Sequence, residues 1–90
     1  MEIKLFGKES CGKCGSTKNK IAHLLKKWNL EGKVQFSYFD MDTLEGLTEG
    51  AYHGITETPT TVIISPDRRE IARFDGKIPH SSKLKELLRE

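Results

Sequence analysis

The sequence predicts an α/β fold in which helices cover both faces of a four-stranded mixed sheet. Apolar residues recur at helical spacing in three segments, and four other segments are alternating or β-branched, as strands are. These segments follow one another in the order β-α-β-α-β-β-α. A βαβ unit joins parallel strands by a right-handed crossover, whereas strands joined by a short turn pair in antiparallel fashion. We expect the chain to form one domain, residues 1–90.

The first half of the chain is predicted to form a strand, a long helix and a second strand. Glu2–Phe6 alternates charged and apolar residues, and Gly7 is expected to break this strand. A helix then begins at or just after Cys11, and Gly32 is its expected stop signal. Val34–Phe39 is alternating and rich in aromatic residues, which predicts the second strand. The apolar face of the helix consists of Ile21, Ala22, Leu24, Leu25 and Trp28.

The second half is predicted to contain a short helix, a hairpin and a last helix. Asp42 with Glu45 three residues later resembles a capping box, the pattern that often opens a helix. Thr60–Ile64 is β-branched and apolar, which indicates a central strand. Glu70–Phe74 is its antiparallel partner, and Ser81 is the expected N-cap of the last helix. The short helix is marked by Leu44, Leu47, Ala51 and Tyr52.

Charge and composition argue against some classes of function. The formal net charge of +2 does not favour a dedicated nucleic-acid-binding protein. Residues 1–33 carry eight Lys and three Glu, whereas residues 34–58 carry five acidic residues and no Lys or Arg, so the basic third contains both cysteines. Neither a signal-peptide pattern nor an apolar run of membrane-spanning length is found. We therefore expect a cytoplasmic protein with no membrane partner.

Aromatic and histidine side chains suggest packing rather than chemistry. Trp28 fits the apolar face of the long helix and is expected to pack in the core rather than to stack on a ligand. Tyr52 and Phe74 are expected in the core or at its rim. The histidines lack the Asp or Ser arrangement of a hydrolase, and we expect them at the surface. They are His23, His53 and His80.

The two cysteines lie close together, in Cys11-Gly12-Lys13-Cys14. A Cys-x-x-Cys between a strand and a helix, near a βαβ pattern, indicates a thiol–disulfide redox motif. In the cytosol such a pair is more often catalytic or metal-binding than structural. Zinc and iron–sulfur sites need about four ligands, and the histidines do not stand at a suitable spacing. No metal site is predicted within one chain, and a metal held between two chains stays an alternative.

Two further motifs lie at matching places in the second half. Gly54–Thr60, which reads Gly-Ile-Thr-Glu-Thr-Pro-Thr, leads into the predicted central strand, and Phe74-Asp75-Gly76 follows the last strand. Together with Cys11–Cys14, these segments resemble the thioredoxin/glutaredoxin superfamily over essentially the whole chain. The resemblance implies a thioredoxin-like fold of glutaredoxin size with a Cys-Gly-Lys-Cys active site.

The departures from the superfamily pattern concern protons and glutathione. Leu5 stands where thioredoxins carry a buried Asp that helps to move protons, and Ser10 replaces their Trp. Asp75–Pro79 lacks the Gly-Gly-x-Asp-type segment with which glutaredoxins hold glutathione, although Lys8 matches a glutaredoxin lysine. An electron donor of the thioredoxin-reductase type is therefore expected, and glutathione stays an alternative.

The resemblance also implies the roles of individual site residues. Cys11 at a helix start is the expected nucleophile, because helix N–H groups and the dipole stabilise a thiolate. Cys14 is then the resolving cysteine. A cis Thr58–Pro59 bond is expected to face the cysteines and to leave the Thr58 backbone free to pair with an extended substrate. The expected substrate-binding residues are Thr58, Pro59, Lys8, Lys13 and Gly76.

The function that the sequence predicts is therefore reduction of protein disulfides by dithiol exchange. Its partners would be protein disulfides and the electron donor, with no cofactor beyond the cysteine pair, and we expect a monomer. A different class stays open: a non-enzymatic module that binds a metal or a partner protein through the face formed by the cysteines and Pro59.

Overall fold

Strands and helices follow one another along the chain in the predicted order. The computed structural model describes residues 1–89 and contains four strands and three helices within them. These elements are β1 (Glu2–Gly7), α1 (Gly12–Lys27), β2 (Gln35–Asp40), α2 (Leu44–Tyr52), β3 (Thr60–Ile64), β4 (Glu70–Asp75) and α3 (Ser81–Leu88).

The strands form one mixed sheet with the order β2-β1-β3-β4. β1 and β2 are parallel, with Leu5 opposite Tyr38. β1 and β3 are antiparallel, with Phe6 opposite Thr60, and β3 and β4 form the antiparallel hairpin. α1 is thus the crossover of a βαβ unit. The predicted fold class is confirmed.

The apolar core lies on both faces of the sheet, because side chains alternate along each strand. On one face, Ile3 and Ile63 pack with the apolar sides of α1 and α3. On the other face, Phe6 and Val62 pack with Phe39, whose ring centroid lies 5.2 Å from that of Phe6. Each such side chain, when fully buried, contributes roughly 1.5–3 kcal/mol.

Several predicted element ends are corrected by the backbone. β1 extends one residue further than predicted, and Gly7 is its last residue instead of the residue that interrupts it. The predicted capping box is wrong: the N-cap of α2 is Thr43, whose hydroxyl accepts a hydrogen bond from the Gly46 N–H at 3.0 Å. At α3 the N-cap is His80, and Ser81 is the first helical residue. Polar residues cluster at these starts, so their spacing alone does not identify the cap.

The end of α1 comes before Gly32, and a different residue stops the helix. Asn29 has a φ of 58°, in the left-handed region that Asn tolerates. The Leu30 N–H then donates to the Leu25 carbonyl at 2.8 Å, which satisfies one of the last helical carbonyls. Trp28, the C-cap, is half-buried against the core, so its predicted packing role is confirmed.

The face of α2 that lies against the sheet consists of glycine residues. Leu44 and Tyr52 are each 82% exposed, so the prediction of Tyr52 in or near the core is wrong. Gly46 and Gly50 are the buried residues of this helix. A Cβ at Gly46 would collide with the Asp40 carbonyl oxygen. At Gly46 the helix lies so close to the end of β2 that no side chain fits between them.

His53 is not at the surface, which corrects a second prediction. Its side chain is only 10% exposed, and its ring centroid lies 5.8 Å from that of Phe6. Lys4 lies 3.1 Å from the imidazole Nε2 and donates to the Glu49 carboxylate at 2.5 Å. Lys4, Glu49 and His53 form a polar cluster between β1 and α2, here called the Lys4 cluster. His23 and His80 are exposed, as predicted.

Within residues 1–89, the helices are too short or too polar for any of them to cross a bilayer.

Candidate functional site

The candidate site forms where four chain segments meet at one end of the sheet. β1 and β2 are parallel and end together, while β3 begins and β4 ends at the same edge. The Met41 N–H donates to the Gly7 carbonyl at 2.8 Å, and the Gly76 N–H donates to the Pro59 carbonyl at 2.7 Å. This edge therefore brings the cysteine loop, Thr58–Pro59 and Gly76 together from distant parts of the sequence.

Cys11 and Cys14 are joined as a disulfide across the first turn of α1, with Cα atoms 5.3 Å apart. Cys11 is the N-cap, and its own N–H donates to the Lys8 carbonyl at 3.1 Å. The Cys14 N–H donates to Cys11 Sγ at 3.2 Å. Cys11 is half-buried, whereas Cys14 is fully buried. The two sulfurs thus differ in access although they are three residues apart.

The surroundings of Cys11 favour negative charge on its sulfur. The first turn of α1 contains no acidic residue and presents unpaired N–H groups and the positive end of the helix dipole. Hydrogen bonds to the charged form of a group favour that form, as the Cys14 N–H would for a Cys11 thiolate. Cysteines in such places have pKa values of roughly 3.5–7.5, against about 8.5 for a free cysteine.

Lys8 and Lys13 differ in how they are placed. Both are exposed. Lys8 lines a groove together with Cys11, and it also lines a neighbouring pocket together with Thr58. Lys13 lies on the first turn of α1, where its carbonyl accepts a hydrogen bond from the Thr17 hydroxyl at 2.6 Å. Lys8 is therefore the lysine that connects the cysteine loop with the Thr58 segment.

The Thr58–Pro59 peptide bond is cis, as the resemblance implies. Pro59 is buried and Thr58 is half-buried. The Thr58 N–H and carbonyl have no hydrogen-bond partner within residues 1–89, because β3 starts two residues later, at Thr60. An extended peptide needs such unpaired backbone groups if it is to add to a sheet edge.

Gly76 closes this end of the sheet in a conformation suited to glycine. Its φ is +65°, and a Cβ there would collide with the Glu57 carboxylate. Its hydrogen bond to the Pro59 carbonyl fixes the end of β4 beside the Pro59 segment. Gly76 therefore lies directly beside Pro59.

Sequence reasoning did not single out Tyr38 as a site residue. A Cβ at Gly7 would lie 2.6 Å from the Tyr38 hydroxyl and 3.0 Å from Cys14 Sγ, so both groups point into the space that Gly7 leaves open. Burial, and then the charges of Asp40, Asp42 and Glu9, raise the pKa of Tyr38. The only available signal was strand alternation, which places Tyr38 beside Leu5.

The Lys4 cluster also escaped sequence reasoning, since its members are 45 and 49 residues apart along the chain. It lies on the α2 face of the sheet, whereas Tyr38 and Leu5 lie on the α1 face. Across residues 1–89, no three His, Cys, Asp or Glu side chains come together in a way that could hold a metal ion.

Solved structures of thioredoxins are similar to this chain over nearly its whole length. A thioredoxin of Fasciola hepatica is 30% identical, with 97% of this chain and 76% of that chain covered and a TM-score of 0.74. Thioredoxin 1 of Thermosipho africanus is 22% identical, with 97% and 90% covered and a TM-score of 0.75. A malaria parasite thioredoxin-2 is 20% identical, with 97% and 79% covered and a TM-score of 0.78.

No protein-family model matches the sequence, and a comparison with curated protein sequences finds no match.

Proposed function

Because this chain belongs to the thioredoxin superfamily, we propose that it is a thiol–disulfide oxidoreductase that reduces protein disulfides. The observation that carries the proposal is the placement of the cysteine pair. Cys11 caps α1 with an accessible sulfur, while Cys14 lies one turn further along and is fully buried. A reductase needs such an exposed attacking thiol and a protected resolving thiol in reach of it.

The proposed reaction has two exchange steps. The Cys11 thiolate attacks a substrate disulfide, forms a mixed disulfide and releases the first substrate sulfur as a thiolate. Cys14 then attacks Cys11 Sγ, which forms the Cys11–Cys14 disulfide and releases the second substrate sulfur. The substrate disulfide gains two electrons and two protons, and the protein dithiol loses them. The proposed working form is a cytoplasmic monomer that needs no cofactor beyond this pair.

Substrate binding is assigned to the segment beside the cysteines. The unpaired Thr58 N–H and carbonyl support pairing with an extended substrate chain that places its disulfide over Cys11. Pro59 forms the buried base of this segment, and Gly76 holds it from the other side. Lys8 supports a preference for acidic groups near the substrate disulfide, with Lys13 contributing on the helix.

The electron donor is proposed to be a protein of the thioredoxin-reductase type. Such a donor can use the same backbone edge as a protein substrate, whereas glutathione needs a dedicated site for its charged ends. The segment after β4, Asp75–Pro79, offers no Gly-Gly-x-Asp-type pattern for that purpose. Recycling of the oxidised protein by thioredoxin reductase and by glutathione should be compared at equal thiol concentration.

Reduction of insulin in the presence of dithiothreitol tests the function. We expect the protein to accelerate the reaction and Cys11→Ser to lower the rate to that of dithiothreitol alone. Mixed with insulin in the absence of dithiothreitol, Cys14→Ser should form a mixed disulfide that accumulates, because the resolving thiol is missing. Ala22→Ser, an exposed change on the same helix, is the matched control and should retain full activity. An inactive wild-type protein that holds stoichiometric zinc would instead favour the metal-binding module.

Alkylation by iodoacetamide tests the order of the two cysteines. In single-cysteine variants at neutral pH, Cys11 should react faster because it is accessible and stabilised as a thiolate. Faster alkylation of Cys14 would reverse the assigned roles.

A further inference from the structure

The resolving step places a thiolate in an apolar environment. Cys14 is fully buried, and Leu5, also fully buried, lies on the same side of the sheet. Burial without a polar partner disfavours the charged form and raises the pKa of a thiol. Cys14 must nevertheless lose its proton before it can attack Cys11 Sγ. A hydrogen-bond donor close to the Cys14 sulfur would favour this loss of the proton.

The Tyr38 hydroxyl is placed to be that donor. It shares with Cys14 Sγ the space above Gly7, at 2.6 Å and 3.0 Å from the position of a Gly7 Cβ. No hydrogen bond from it to another group of residues 1–89 is found in the disulfide form, and it is not a buried unpaired atom, so the hydroxyl is open to solvent in that state. Tyr38 also lines the groove that contains Cys11, which connects this space with solvent.

We propose that the Tyr38 hydroxyl donates a hydrogen bond to the Cys14 thiolate as it forms, and so lowers the barrier of the resolving step. The inference rests on the proposed reductase function and deepens it. Gly7 is part of this arrangement, because a Cβ there would lie too close to both the Tyr38 hydroxyl and the Cys14 side chain. Tyr38 is thus a positioning residue that acts through Cys14.

Burial, and then the negative charges around Tyr38, favour the protonated hydroxyl. Burial raises the pKa of Tyr38 most, and Asp40 on β2, Asp42 after it and Glu9 in the cysteine loop raise it further. The Lys18 ammonium of α1 lies 4.8 Å from the ring centroid, where the electron-rich face attracts a cation. Lys8 lines the same groove. A tyrosine that retains its proton is a donor and not a general base.

The resolving step balances with Tyr38 unchanged. The Cys14 thiol gives its proton to solvent through the groove, and the resulting thiolate accepts the Tyr38 hydrogen bond. The thiolate attacks Cys11 Sγ, the Cys14–Cys11 bond forms, and the bond between Cys11 and the substrate sulfur breaks. The substrate sulfur leaves as a thiolate and takes a proton from solvent.

The pKa of Cys14 is the direct test. It is measured by the ultraviolet absorbance of the Cys14 thiolate in the Cys11→Ser variant. The blank for each titrated protein is the same protein with Cys14→Ser added, which has no cysteine. Adding Tyr38→Phe should shift the titration upward by about one pH unit, since a donor to the thiolate is lost. Phe retains the ring beneath Lys18. Tyr52→Phe makes the same chemical change on an exposed side chain and should leave the titration unchanged. An identical Cys14 titration with and without Tyr38→Phe overturns the inference.

Transient kinetics supply a second readout in the protein with both cysteines. Tyr38→Phe should leave formation of the mixed disulfide unchanged and slow its resolution about threefold at neutral pH. A one-unit higher pKa lowers the thiolate fraction about tenfold, while the more basic thiolate is about threefold more nucleophilic. Equal slowing of both steps would overturn the assignment to Cys14. If the wild-type protein fails to reduce insulin, the proposed function fails, while the Cys14 titration still decides the role of Tyr38.

Discussion

Single residues on the α2 face show how a lysine is kept within the sheet. Lys4 belongs to the central strand β1, where its side chain is only 12% exposed. Its ammonium is satisfied by the Glu49 carboxylate and lies against His53. A buried charge without a partner costs several kcal/mol, so Glu49 matters mainly because it keeps Lys4 paired. The hydrogen bond from Lys4 lowers the pKa of Glu49 below its ordinary value.

This lowered pKa predicts a pH dependence of stability. The folded state binds the Glu49 proton more weakly than the unfolded state does, so the contribution is present above the ordinary pKa of about 4.5. It is lost as the pH falls through the lower pKa of the folded state. Replacing Glu49 by Gln should therefore reduce the free energy of unfolding by about 1 kcal/mol at neutral pH and have less effect in acid.

Urea unfolding at a series of pH values from neutral to acid measures this difference. Glu31→Gln, an exposed change outside the helices that removes no ion pair seen in residues 1–89, is the control and should not alter the curve. If the Glu49→Gln and wild-type curves stay parallel down to acid pH, the Lys4–Glu49 bond does not contribute as described.

At the scale of elements, α2 packs against its neighbours through two glycines, which have no side chain. Its large apolar residues point to solvent, whereas Gly46 and Gly50 face Asp40 and Met41. Glycine is unfavourable within a helix by roughly 0.8–1.0 kcal/mol relative to Ala. Two glycines are tolerated here because the close approach of α2 covers the side of the sheet on which Phe6 and Val62 pack. The exposed side of α2 then carries Leu44.

Replacing Gly46 by Ala should therefore destabilise the protein despite the better helix propensity of Ala. The new Cβ collides with the backbone carbonyl of Asp40, which cannot move without disturbing the end of β2. We expect a loss of roughly 2 kcal/mol in the free energy of unfolding. Urea unfolding of the purified variant measures it.

Gly15→Ala is the matched control for this prediction. Gly15 also lies within a helix, but a Cβ there meets no atom within 4 Å. Ala should therefore raise the stability by up to about 1 kcal/mol. Equal effects of the two substitutions, in either direction, would show that helix propensity, rather than the close contact with Asp40, determines the change in stability at Gly46.

At the scale of the whole molecule, the central strands join the two core clusters. β1 contributes Ile3 to one cluster and Phe6 to the other, and β3 contributes Ile63 and Val62 in the same way. Disruption of β1 or β3 would therefore disturb both clusters. The same strands end at the candidate site, so the cysteine loop and the Pro59 segment depend on both clusters.

We therefore expect the oxidised protein to unfold in one cooperative transition. Trp28 fluorescence reports on the α1 and α3 side, whereas far-ultraviolet circular dichroism reports on all helices. Their urea midpoints should coincide, with a slope near 1 kcal/mol per molar urea for a chain of this size. A separate, earlier transition in circular dichroism alone would mean that α2 unfolds independently of the rest.

The sequence by itself determined the order of the elements, the position of Cys11 at a helix start and the segment before β3. These features depend on the hydrophobic periodicity and on residues that are adjacent along the chain, and the sequence contains both. The cap residues do not follow from residue type in the same way. Asp42 and Thr43 are both good N-cap candidates for α2, and at α3 the cap is His80, which makes no side-chain cap hydrogen bond, rather than Ser81.

The tertiary structure alone decided which groups surround the cysteines and how α2 is oriented. Tyr38 and Cys14 border the same space only because β2 lies beside β1 in a fixed register and Gly7 has no side chain to fill that space. Lys4 finds Glu49 across 45 residues of chain, and the apolar pattern of α2 gave no hint of its glycine face. Distances between residues far apart in sequence are set by the packing of whole elements, and local patterns do not contain that information.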